Sequence, residues 1–155
     1  MLRVGNTATD FALNDKDGKM YKLKDIKSKY TVVYFYPKDN TPGCTIEAVE
    51  FSKDLNKFEA LNVKIIGISG GNEKSKTKFI EKYKLKALLL SDPDFSVCKQ
   101  YGVYGEKSFL GKKFVGIKRM SFLLDKNKKI LKIYEKVKPA EHSKELLKDI
   151  KQFES

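Results

Sequence analysis

Residues 31–36 read TVVYFY and residues 63–69 read VKIIGIS, two runs dense in β-branched and aromatic side chains. Strands written this way are buried on both faces. Between them Cys44, Ala48, Phe51, Leu55 and Phe58 recur at i, i+4, i+7, i+11 and i+14, one face of a helix. Strand, helix and strand at this spacing predict two parallel strands joined by a crossover. That unit restricts the chain to the α/β class, with a central sheet flanked by helices.

The flanking segments extend the pattern. Phe11–Leu13 and Met20–Leu23 around Asp15–Gly18 predict an N-terminal hairpin. Residues 37–43 (PKDNTPG) are a loop by composition. Ser75–Tyr83 is expected as a helix and Ala87–Ser91 as a third strand. Phe95–Tyr101 is expected as a short helix, and residues 102–117 as a long glycine-punctuated loop. Lys118–Leu124 and Ile130–Tyr134 predict a second hairpin. Glu141–Phe153 closes the chain as a helix with His142, Leu146, Ile150 and Phe153 on one stripe. A βαβ half, then a ββα half, with an N-terminal hairpin extension, indicates a thioredoxin-like sandwich. No linker or repeat divides the chain, so residues 1–155 are expected to form a single domain.

Charge narrows the function. The net charge is +12, but of 32 basic residues only Arg3 and Arg119 are arginine. Nucleic-acid readers lean on arginine for bidentate contacts, and the lysines form no block. A solvated surface is the expectation, with no specific nucleic-acid partner. No run approaches the ~18 apolar residues of a membrane span, and Met1–Asp10 lacks a secretory core, so no membrane association and a cytoplasmic setting are expected. One histidine and two distant cysteines cannot complete a zinc site, and no nucleotide motif is present, so neither metal nor cofactor is expected. Gly67 and Gly70–Gly71 read as a turn after a strand.

The strongest chemical signal surrounds Cys44. Thr41 suits a helix N-cap and Pro42 the first helical position, which needs no N–H donor. Cys44 then falls in the first turn, where unpaired N–H groups and the helix dipole favour an anion. The thiolate is the reactive form of cysteine. Local physics leaves two readings: a reactive thiol, or a capped helix with a small buried residue.

The segment YFYPKDNTPGCTIEA resembles the peroxiredoxins, whose signature Pro-x-x-x-Thr-x-x-Cys is filled by Pro37, Thr41 and Cys44. Tyr36–Lys38 and Thr41–Thr45 are similar to the bacterioferritin-comigratory, or PrxQ, branch. Ser91–Asp94, Tyr101–Lys107 and Ile117–Asp125 agree. The resemblance implies a thiol-dependent peroxidase acting on hydrogen peroxide and organic hydroperoxides in antioxidant defence. Cys44 would be the peroxidatic residue, attacking the O–O bond to give a sulfenic acid. Thr41, Arg119 and the N–H groups near Gly43 and Cys44 would bind the peroxide oxygens. Pro37 would shape the loop, and Glu47, one turn after Cys44, would orient Arg119. Arg119 has its own argument: a fixed, always-ionised fork needs arginine where a surface charge would accept lysine.

The chain departs from the branch at Val49, where many members carry a resolving cysteine. Cys98 is the only other thiol. It lies three residues from Phe95 and from Tyr101, on the apolar face of its short helix. It reads as a buried inert cysteine or as a resolving one. The expected mechanism is of one-cysteine type, with an external thiol reductant: thioredoxin, glutaredoxin or a small thiol. A monomer or weak dimer is expected. His142 reads as a packing residue. The competing functions are a thiol–disulfide oxidoreductase, which normally wants CxxC, and a basic holdase acting through its surface.

Overall fold

The computed structural model describes residues 2–154. In chain order its elements are β1 (Ala12–Asn14), β2 (Met20–Lys22), β3 (Tyr30–Phe35), α1 (Pro42–Ala60), β4 (Val63–Ser69), α2 (Glu73–Tyr83), β5 (Leu88–Ser91), α3 (Ser96–Gln100), β6 (Tyr104–Phe109), β7 (Lys112–Ile117), β8 (Met120–Leu124), β9 (Ile130–Tyr134) and α4 (His142–Glu154). Seven strands form one mixed sheet in the order β2-β1-β5-β4-β3-β8-β9. β3, β4 and β5 run parallel, as the crossover pattern requires, and β8 and β9 add antiparallel on the far side. The N-terminal hairpin joins the other edge through Asn14 and Ser91.

Every residue of β3 is buried. Val32 and Tyr34, with Tyr36 just beyond the strand, face a core filled from α1, α2 and α4. Val33 and Phe35 face a second core, filled from α3 and the N-terminal segment. This is why the strand carries no polar alternation. Gly67 lies inside β4, not in a turn: a Cβ there would sit 2.6 Å from both the Tyr34 ring and Leu89, so the glycine makes room for them. Gly71 does occupy the turn, at φ +85°.

Three further sequence expectations need correction. Residues 102–117 are not a loop, because β6 and β7 pair throughout as a separate two-stranded arm. Its turn is Leu110–Gly111, both at positive φ, the backbone of a tight hairpin turn. Leucine rarely takes that conformation, so Leu110–Gly111 is a weak hairpin signal, and Lys112–Val115 are all exposed, so no buried face marked the arm. The strand after it begins at Met120, which leaves Arg119 just before it rather than within it. Phe153 leaves the α4 stripe and is 46% exposed, because the helix end outruns the core. Among the described residues no helix is long and apolar enough to cross a membrane.

Candidate active site

The loop after β3 delivers the chain into α1, whose first helical residue is Pro42. Cys44 is therefore the third helical residue, and only 1% exposed. The N–H groups of Gly43 and Cys44 lie in the first turn, where the helix offers no acceptor. Thr41 occupies the N-cap position but makes no side-chain cap bond. Its Oγ1 donates instead to the Lys38 carbonyl at 2.9 Å, which folds the loop back on itself. The hydroxyl oxygen keeps its acceptor capacity, and the first-turn donors are not consumed by it.

Arg119 arrives through the sheet. Phe35 pairs with Met120 across the β3–β8 ladder, so the residue before Met120 reaches the end of β3, where the loop to α1 begins. Arg119 Nη1 donates to Cys44 Sγ at 3.6 Å and to Glu47 Oε1 at 2.9 Å. The guanidinium lies against Gly43: a Cβ there would stand 2.8 Å from Nη2. A side chain at 43 would have to displace the far end of Arg119, while the backbone there is at an ordinary angle.

Glu47 is 1% exposed, and its Oε2 has no hydrogen-bond partner among the described residues. Burial pushes its carboxyl up to about 7, and the Arg119 ion pair offsets only part of that. The Arg119 pKa is raised: burial opposes its charge, but Cys44 and Glu47 together outweigh that. The site therefore holds a firmly cationic fork between a thiol and a carboxylate that is costly to keep ionised.

A second polar cluster anchors the loop, and sequence reasoning missed it. Asp39 Oδ1 accepts from the Tyr36 hydroxyl at 2.6 Å. Its Oδ2 accepts from Ser75 Oγ at 2.6 Å and from Lys76 Nζ at 2.9 Å. Lys76 is fully buried and also donates to Ser69 Oγ and the Gly70 carbonyl, at 2.8 and 2.7 Å. Burial lowers its pKa and Asp39 counters. The signal was available: Lys76 shares an inward stripe of α2 with Phe79, where a lysine needs a partner.

The structure does not bring Cys98 to Cys44. Cys44 belongs to the core under α1 and Cys98 to the core on the other side of the sheet. Burial first, then its hydrogen bond to the Asp92 carboxylate, pushes the Cys98 thiol far up, away from thiolate character. His142 is buried and satisfied: Nδ1 donates to the Glu145 carboxylate at 3.0 Å, and Nε2 lies 2.7 Å from Ser121 Oγ. Burial lowers its pKa, as suits a packing imidazole. Pro37 lines a groove beside Arg119 and Met120.

Comparison with known proteins follows the same lines. The AhpC/TSA family pattern matches residues 4–133. Peroxiredoxin Bcp of Escherichia coli K12 is 40% identical over 151 residues, 97% of each chain. A PrxQ structure from Xylella fastidiosa superposes with a TM-score of 0.93 at 31% identity, covering 100% of this chain and 99% of that one. The Xanthomonas campestris bacterioferritin comigratory protein, studied for its alkyl peroxide reduction activity, gives 0.86 at 34% identity, covering 94% and 92%.

Proposed function

The chain belongs to the AhpC/TSA family and is a thiol-dependent peroxidase of the thioredoxin fold, and on that premise we propose that Cys44 is its peroxidatic residue, with Arg119 and Thr41 as its partners. The observation that carries this reading is one guanidinium nitrogen shared between Cys44 Sγ at 3.6 Å and Glu47 Oε1 at 2.9 Å. Residues 1–155 would act as one catalytic domain.

The Cys44 thiolate attacks the terminal oxygen of the peroxide. An S–O bond forms as the O–O bond breaks, and the electron pair leaves with the second oxygen, which takes a proton and departs as water or an alcohol. Negative charge passes from sulfur to the leaving oxygen, within reach of Arg119 and the Gly43 and Cys44 N–H groups. Fixed donors of this type favour the transition state because they need no reorganisation. Thr41 Oγ1 accepts the hydrogen of the peroxide, which orients it. Pro37 closes the loop side, and Glu47 holds Arg119.

The sulfenic acid then condenses with an external thiol, releasing water and leaving a mixed disulfide. A second thiol frees Cys44 as a disulfide of the reductant. We assign resolution to an external thiol because position 49 is valine and Cys98 lies across the sheet. Thioredoxin, glutaredoxin or a small thiol all meet this need. Organic hydroperoxides join hydrogen peroxide as substrates, by analogy with the alkyl peroxide reduction of the Xanthomonas relative.

The test is peroxide consumption with dithiothreitol. Cys44→Ser should abolish turnover, and Cys98→Ser should keep most of it. Equal loss in both variants, with a Cys44–Cys98 disulfide in the mass spectrum, would reassign resolution to Cys98.

A further inference from the structure

After Tyr36, residues 37–41 lead into α1, and among the described residues none of 37–40 makes a backbone–backbone hydrogen bond. Asn40 sits at φ +62°, in the left-handed region that asparagine tolerates. Pro37 and Thr41 are half-buried, and Lys38 and Asn40 are exposed. Asp39 alone in this loop is buried. The path of the loop therefore depends on what Asp39 binds.

It binds the first turn of α2. The Lys76 ammonium has three protons and three acceptors: Asp39 Oδ2, Ser69 Oγ and the Gly70 carbonyl. Ser75 Oγ donates to the same Oδ2, and the Tyr36 hydroxyl holds Oδ1. Every ammonium proton is thus used, which leaves the cluster no free charge for a ligand. Gly71 gives it room, since a Cβ there would stand 3.0 Å from Asp39 Oδ2. A buried ion pair is a poor source of stability, and apolar residues of similar volume often serve the fold as well. What it supplies here is direction. Bonds on both carboxylate oxygens fix the Asp39 side chain, and with it the backbone two residues before Thr41 and five before Cys44.

We propose that Asp39, Ser75 and Lys76 are positioning residues for the peroxide reaction: by clamping the loop to α2 they hold Thr41 and the first turn of α1 in place around Cys44, and keep the thiol enclosed. The proposal rests on Cys44 as the peroxidatic residue and names the residues that place it.

The experiment follows two reactions of Cys44 in reduced protein by mass spectrometry of quenched samples: sulfenic acid formation with hydrogen peroxide, and alkylation by iodoacetamide. Both rates are expressed per thiolate, titrated on the same variant. Peroxide attack needs aligned groups, whereas alkylation needs only an accessible thiolate. Lys76→Met should lower the peroxide rate at least about tenfold, a misplacement effect. It should raise alkylation at least about threefold, because a looser loop uncovers a thiol that is 1% exposed. Adding Asp39→Asn to Lys76→Met should return stability without returning the peroxide rate. Ser75→Ala removes one bond and should move both rates in the same directions by about two- to threefold, and it decides the matter where Lys76→Met does not fold. Leu23→Ala, in the core on the other face of the sheet, should cost stability and leave both rates within about twofold. An unchanged peroxide rate in the folded clamp variants overturns the proposal. So does a fall in both rates together, or the same pattern in Leu23→Ala, since either would report lost stability alone. No reaction of wild-type Cys44 with hydrogen peroxide would instead overturn the peroxidatic assignment, while the alkylation rates would still report the clamp.

Discussion

Replacing Glu47 by glutamine should make the protein more stable and the enzyme slower. The carboxyl is raised from 4.5 to about 7, chiefly because ionising it in the core forfeits hydration that one ion pair does not restore. At about 1.4 kcal/mol per pKa unit, that shift amounts to about 3 kcal/mol. Its sign follows from linkage. The folded state holds this proton more tightly than the unfolded chain does. The contribution of Glu47 to stability is therefore full below pH 4.5, is lost as pH rises toward 7, and stays at the lower level above. Glutamine mimics the protonated form at every pH. Urea unfolding of the reduced proteins should show little difference at pH 4.5 and an advantage for Glu47→Gln of about 2–3 kcal/mol at pH 8. The lower end allows for the amide nitrogen inheriting the unpartnered position of Oε2. Peroxide reduction should fall in the same variant, because a neutral amide holds the guanidinium less firmly. If Glu47→Gln were less stable than wild type at pH 8, the ion pair would outweigh desolvation and the reasoning would fail. A pH-independent difference would refute it equally, since it would show packing rather than ionisation.

Arg119→Lys keeps the charge but loses the planar fork, and should cost about 10²–10³-fold in the stopped-flow rate of peroxide reduction. Gly43→Ala puts a Cβ 2.8 Å from Arg119 Nη2 and should push the guanidinium off the thiol. Circular dichroism should stay unchanged while the peroxide rate falls at least tenfold; full activity would show that the fork tolerates displacement. Lys76→Met leaves Asp39 buried without its cation and should destabilise by about 3–5 kcal/mol in urea, with Asp39→Asn added to Lys76→Met recovering part of the loss. With no cysteine at position 49, excess peroxide without reductant should add further oxygens to the Cys44 peptide, read by mass spectrometry; a clean Cys44–Cys98 cross-link would contradict this.

The sequence by itself determined what local rules control. Pro42 fixes a helix start, and a start at Pro42 makes Cys44 the third residue of α1 wherever the helix lies. The TVVYFY and VKIIGIS runs and the helical period between them needed no partner to be read, because burial on two faces and a 3.6-residue repeat are written in consecutive residues. The Pro37–Thr41–Cys44 spacing singled out the candidate site only through its resemblance to the peroxiredoxin signature, since local physics alone left two readings of Cys44.

The tertiary structure alone decided what meets Cys44. Arg119 is 75 residues away, and it arrives because β8 pairs with β3 in one register, Phe35 opposite Met120. A one-residue slip would have sent β8's side chains to the other face. The same sheet separates Cys98 from Cys44, although both cysteines looked equally apolar in sequence. Lys76 and Asp39 found each other only once α2 docked beside the loop. The β6–β7 arm stayed invisible because it buries too little to imprint a pattern, and its turn rests on a leucine at positive φ. Contacts between distant residues depend on strand order and register, and a run of neighbouring side chains does not encode those where no buried face constrains it.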